Sequence, residues 1–171
     1  MLNLQDGDKV IIPGVGSGHD LKYIPKGVIV NGVDISEVML NIAILKVKIA
    51  NNEDYISLNI MDGEDLRFPD NTFDSAILGL FLTCVFDPQK AFSEVVRVVK
   101  PKGKILIYDH LVRKKKWSAH FVRSMDAVMK YNFCSFIRRV EDIIAEQPVS
   151  VSKEIRGDFF GFIKGFLVIK N

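Results

Sequence analysis

Gly14, Gly16 and Gly18 alternate with Val15 and Ser17 directly behind the β-branched run Val10-Ile11-Ile12. Glycine turns the chain at positive φ and leaves the main chain open to close approach by a ligand. A short helix expected at 20–24 would point unpaired N–H groups at a polar or anionic part of that ligand. The next buried-type run, Val28-Ile29-Val30-Asn31-Gly32-Val33, ends in Asp34, which lies 20 residues after Gly14. That is about the spacing at which a nucleotide-binding βαβ unit sets its ribose-binding acid. Asp62 follows a third apolar run, and His110 follows a fifth. An imidazole titrates near neutrality, so His110 is the candidate general base.

These groups need a sheet to carry them, and the chain supplies alternating strand and helix signals from its first residues. Strands are expected at 9–13, 28–33, 54–60, 73–78 and 104–108. Ser36 is placed to cap a helix running to about residue 50, with Val38, Ile42, Leu45 and Ile49 as its buried face. Asp87-Pro88 opens a second helix, with Phe92, Val95, Val96 and Val99 inward, and Pro101-Lys102-Gly103 ends it. A helical region is expected over 117–145. The last two runs, 149–155 and 159–169, are joined by a short Arg-Gly-Asp link that favours an antiparallel pair. The alternation predicts an α/β fold, a Rossmann-like doubly wound, mainly parallel seven-stranded sheet with a C-terminal antiparallel hairpin. At 171 residues with no linker or repeat, residues 1–171 read as a single domain.

Composition narrows the class without naming a partner. The chain is 48% hydrophobic and 26% charged, with a net charge of +2, ordinary values for a globular protein. No apolar run reaches a membrane span, and the first residues lack the basic start and apolar centre of a signal peptide. Cys84 and Cys134 have apolar neighbours and no metal-ligand spacing, so both read as buried thiols of a reducing compartment. A cytoplasmic location is the expectation.

A glycine loop with an acid after the second strand fits two ligand classes, dinucleotides and S-adenosylmethionine. The dinucleotide pattern wants a third glycine at position 19, where this chain has His19. No Gly-Lys-Ser/Thr follows the loop, which excludes a P-loop. The sequence here resembles the class I S-adenosylmethionine-dependent methyltransferases. The loop from Gly14 to Gly18, the Gly32-Val33-Asp34-Ile35-Ser36 stretch, residues 62–74 and residues 91–104 carry the resemblance. Tyr108-Asp109-His110-Leu111-Val112 and the closing Gly-Phe-x-x-Gly look most like the small-molecule branch, which includes phospholipid N-methyltransferases, alkyl-thiol methyltransferases and quinone-biosynthesis C-methyltransferases.

The resemblance implies S-adenosylmethionine as cofactor and S-adenosylhomocysteine as product, with an N, S, O or C nucleophile as methyl acceptor. It implies main chain at Gly14, Gly16 and Gly18 around the methionine end, while His19, directly after the glycines, either touches the cofactor carboxylate or merely begins the helix. Asp34 would take the ribose hydroxyls and Ile35 would pack on the adenine. Asp62 would take the adenine amino group, Gly63 would lie near a ring nitrogen, and Leu78-Gly79-Leu80 would lie near the reactive methyl. A carboxylate accepts hydrogen bonds only, which suits a diol or an exocyclic amine.

Two positions depart from the family pattern. Ile12 stands where an acid is usual, two residues before the first glycine. Only residues 1–8 precede the first strand, so either the pocket is open or a partner subunit, the substrate or the 117–145 region covers it. A homodimer is compatible with that need. The basic run Arg113-Lys114-Lys115-Lys116 beside Trp117 reads first as a solvated loop, and more sharply as peripheral contact with an anionic membrane surface and a lipid substrate. Nucleic acid is not favoured. The competing functions are an NAD-dependent oxidoreductase, which His19 and Asp62 disfavour, and a non-catalytic partner subunit of the same fold.

Overall fold

A computed structural model describes residues 2–109, 139–156 and 163–171. Seven strands form one sheet in the order β3-β2-β1-β4-β5-β7-β6. They are β1 (Lys9–Pro13), β2 (Ile29–Asp34), β3 (Ile56–Ile60), β4 (Phe73–Gly79), β5 (Val99–Asp109), β6 (Val149–Arg156) and β7 (Lys164–Lys170). The first five pair in parallel, while β7 runs antiparallel to both β5 and β6. The chain leaves β1 toward β2 and β3, then returns to β4 on the other side of β1. An open parallel sheet binds ligands at the carboxyl ends of its strands where the order reverses, here between β1 and β4.

Alternation along the central strands divides the core between two faces. Ile11, Ala76, Leu78, Ile105 and Ile107 face helix α2 (Pro88–Val98) and the short α3 (Val140–Ile144). Val10, Ile12, Val30 and Ile77 face helix α1 (Glu37–Ile49) and Leu21. Both long helices begin as their sequences predict. Ser36 Oγ accepts from Met39 N at 3.4 Å, Asp87 Oδ1 accepts from Lys90 N at 3.0 Å, and Pro88 fills the first turn where no N–H is needed. Among the described residues, no helix is long and apolar enough to cross a membrane.

Two expectations are corrected, the inward face of α1 and the burial of Cys84. Helix α1 buries Leu40, Ala43 and Val47, while Val38, Leu45 and Ile49 are 70%, 60% and 82% exposed and Ile42 is also exposed. The helix is apolar nearly all round, so periodicity alone could not pick the inward stripe. The stripe containing Ala43 wins because Gly18 packs there: a Cβ added to Gly18 would lie 3.0 Å from the Ala43 Cβ. The short helix expected behind the glycines is a single 3-10 turn, Asp20–Tyr23. Pro25 forces Ile24 into extended backbone (φ −78°, ψ 129°), which ends the turn. Tyr23 at its end is 71% exposed beside Lys22. Cys84 is exposed and not buried.

Candidate active site

The carboxyl ends of β1 and β2 are built as one unit. Gly14, Gly16 and Gly18 all take left-handed φ, between +53° and +71°, where a Cβ would clash with the following carbonyl. Asp34 ends β2 and holds this loop: its Oδ2 accepts from Gly16 N at 2.8 Å and its Oδ1 from Ser36 N at 2.9 Å. Each carboxylate oxygen keeps a second lone pair for a ligand. Lys46 of α1 donates from Nζ to the Ser17 carbonyl at 2.8 Å. Sequence reasoning missed this lysine, since nothing local marks one exposed cation on a helix as a loop tie. Ile35 is 73% exposed beside Asp34, an apolar surface for a flat ring. His19 stands at the start of the 3-10 turn, exposed and without a capping bond.

Strand β3 runs beside β2, with Ile60 opposite Asp34 and Met61 N bonded to the Asp34 carbonyl at 3.0 Å. Asp62 therefore follows at the same edge of the sheet as Asp34. It is exposed, and its Oδ1 accepts from Glu64 N at 2.9 Å in a tight turn. Gly63 is buried against Phe81, and a Cβ there would run into that ring. The same ring lies under Gly14, where a Cβ would be 2.5 Å from Phe81 Cδ2. Phe81, buried to 6% exposure, is thus a wedge shared by the glycine loop and the Asp62 turn. A lone aromatic after β4 carries no sequence signal for that role.

An ion cluster braces the turn from behind. Glu94 accepts from Leu66 N at 2.9 Å and from Arg97 Nη2 at 2.7 Å, while Arg97 also donates to the carbonyls of Leu66 and Phe68 and to Asp70. The bond from Arg97 holds the Glu94 carboxyl below its ordinary range in spite of burial. Periodicity reads this pair as a polar outer face of α2, although it ties down Leu66, Phe68 and Asp70.

At the switch point, β4 ends in Leu78-Gly79-Leu80. Leu78 is fully buried, and Leu80 takes a left-handed φ of 52° that non-glycine residues seldom adopt. Its N–H is held by the Tyr108 carbonyl at 2.8 Å. Gly79 sits opposite Tyr108, whose hydroxyl hydrogen-bonds Asp20. Burial, and then the Asp20 carboxylate, push the phenol well above its usual range, so it stays a proton donor. The next residue, Asp109, is fully buried and fixes the loop after β4 by accepting from Thr83 Oγ1 at 2.6 Å and from Thr83 N at 3.0 Å. Of the residues singled out from sequence, Gly14, Gly16, Gly18, His19, Asp34, Ile35, Asp62, Gly63, Leu78, Gly79 and Leu80 all lie at this edge of the sheet. His110 and the run Arg113, Lys114, Lys115, Lys116 and Trp117 lie outside the described residues.

Comparison with known proteins agrees with this geometry. A family model described as a methyltransferase domain matches residues 12–107. The chain is 36% identical over 109 residues to a phosphatidylethanolamine N-methyltransferase of Cereibacter sphaeroides, covering 64% of this chain and 54% of that protein. It is 34% identical over 110 residues to a demethylmenaquinone methyltransferase of Symbiobacterium thermophilum, covering 61% of this chain and 43% of the relative. The chain thus spans about half the length of these relatives. The solved structure of a SAM-dependent methyltransferase from Aquifex aeolicus superposes with a TM-score of 0.76 at 20% identity, covering 99% of this chain and 86% of the other. With more than half of its length matched by the family model, the chain belongs to the class I S-adenosylmethionine-dependent methyltransferases.

Proposed function

We propose that this protein binds S-adenosylmethionine at the carboxyl ends of β1 and β2 and transfers its methyl group to a small-molecule or lipid acceptor. The observation that carries the reading is Asp34, whose carboxylate is locked to Gly16 N–H at 2.8 Å while it retains acceptor capacity for a sugar diol. The residues fit the cofactor by their chemistry. The glycine loop leaves main chain bare, and Ile35 offers an exposed apolar surface. Asp62 offers an acceptor for an exocyclic amine, and Gly63 has no room for a side chain.

Bound there, the sulfonium would supply an already activated methyl group. The work left to the chain is to hold that group and the acceptor in line and to keep water out, and alignment of this kind contributes up to about 7–11 kcal/mol in favourable cases. Asp34, Asp62 and the three glycines would hold the cofactor. Leu78, Gly79 and Leu80 would border the reacting end, with the Leu80 backbone pinned by Tyr108. A thiolate or neutral amine acceptor needs no base. For a protonated acceptor, His110 is the proposed base.

Relatives named as phosphatidylethanolamine and demethylmenaquinone methyltransferases support an apolar or lipid-borne acceptor. Membrane contact through 113–117, a homodimer and a cytoplasmic location remain parts of this proposal. Pelleting with vesicles that contain or lack acidic lipid tests the first of these. Calorimetric titration with S-adenosylhomocysteine, followed by a screen of thiols, amines, quinols and phospholipids, tests the activity. NAD binding with no binding of S-adenosylhomocysteine would favour the oxidoreductase reading instead.

A further inference from the structure

The methionine end of the proposed cofactor carries an α-ammonium, and a buried cation needs an anionic partner. Strand β1 brings none, because Ile12 is 1% exposed within the apolar cluster beneath α1. Two of the acids at this edge are committed elsewhere. Asp34 braces the loop on the β2 side, and Asp109 is fully buried on Thr83. Asp62 lies beyond β2, at the end of β3.

Asp20 is differently placed. The β1–β4 register pairs Val10 with Ser75 and Ile11 with Ala76, so the two strands run side by side toward the glycine loop and Gly79. Above Gly79 stand two side chains: a Cβ built there would lie 2.9 Å from Asp20 Oδ2 and would collide with the Tyr108 hydroxyl. Asp20 is half-buried, it accepts a hydrogen bond from Tyr108, and no lysine or arginine among the described residues forms a salt bridge with it. The brief 3-10 turn is what puts it there, since Asp20 is the first residue of that turn, directly after His19. A half-buried carboxylate beside a neutral donor, with no salt bridge among the described residues, at the switch point of the sheet is suited to receive a cationic ligand group.

Resting on the cofactor reading above, we propose that Asp20, oriented by Tyr108 over Gly79, receives the α-ammonium of the cofactor's methionine end. Tyr108 is a positioning residue in this arrangement, and glycine at 79 leaves the space in which the two side chains meet. The test is calorimetric titration of the full chain with three ligands: S-adenosylhomocysteine, its analogue lacking the α-amino group, and methylthioadenosine, which lacks the amino-acid tail.

The parent chain is expected to prefer the amino ligand over the deaminated one by about 10- to 100-fold, the range of a charge-assisted hydrogen bond. Asp20→Asn should abolish that preference and leave methylthioadenosine affinity within about twofold. Tyr108→Phe should reduce the preference in part. A preference that survives in Asp20→Asn overturns the assignment, as does an equal loss of affinity for all three ligands, which would mark Asp20 as a loop brace. If Asp20→Asn does not fold, the parent and Tyr108→Phe decide, since a parent indifferent to the amino group also overturns it. A parent that binds none of the three ligands fails the cofactor reading itself, and this assignment with it.

Discussion

Replacing Asp34 by alanine should produce two separable losses. Without ligand, the variant forfeits the bonds from Gly16 N and Ser36 N, at 2.8 and 2.9 Å. A bond to a charged acceptor is worth about 1.5–3 kcal/mol, and partial exposure argues for the low end, so the pair contributes about 2–3 kcal/mol. For a domain of this size that lowers the melting temperature by roughly 4–12 °C. With ligand, two further bonds to the ribose would be lost, about 2–3 kcal/mol more, or roughly 30- to 150-fold in Kd. Asparagine is no mild substitute, because either orientation of its amide turns an NH2 group toward one of the two N–H donors. Scanning calorimetry of the ligand-free variant measures the first loss, and titration with S-adenosylhomocysteine measures the second. A ribose-deoxygenated analogue should bind the parent weakly and the variant no worse than the full ligand does. A lower melting point with unchanged ligand affinity would refute the reasoning and leave Asp34 a brace for the loop alone.

Three other perturbations have defined outcomes. The Glu94 carboxyl titrates below its ordinary 4.5, so its stabilising contribution is complete above that pH and fades as the pH falls through the lowered value. The stability difference between the parent and Glu94→Gln, followed by denaturant melts, should therefore shrink below pH 4.5 and stay constant above it. Gly63→Ala drives a methyl into the Phe81 ring and should cost about 1–3 kcal/mol of stability together with a drop in ligand affinity, both read by calorimetry. Thr83→Val leaves the buried Asp109 Oδ1 without its hydroxyl donor and should cost about 1–3 kcal/mol in chemical denaturation.

Much of this architecture is legible in the amino-acid order because the deciding forces are local. Apolar runs ended by turn residues set the strands, Ser36 and Asp87 start the helices, and alternating glycines announce a loop with left-handed backbone. The parts that escaped are decided by contacts between distant segments. The inward stripe of α1 depends on a small residue at position 43 meeting Gly18. The role of Phe81 depends on two glycines, at 14 and 63, converging on one ring. Lys46 and Arg97 each tie down carbonyls 29 or more residues away. The Asp20–Tyr108 pair depends on strands β1 and β4 lying side by side with β5 next in line. Spacing in a sequence reports what lies on one element and is silent on which elements face one another.

The central claim concerns where a nucleoside sits, and a crystal structure of the chain grown with S-adenosylhomocysteine tests it most directly. The account predicts the adenosine at the carboxyl ends of β1 and β2, with both ribose hydroxyls on Asp34. A nucleoside bound elsewhere on the sheet, or an empty edge with the ligand at millimolar concentration, would contradict it.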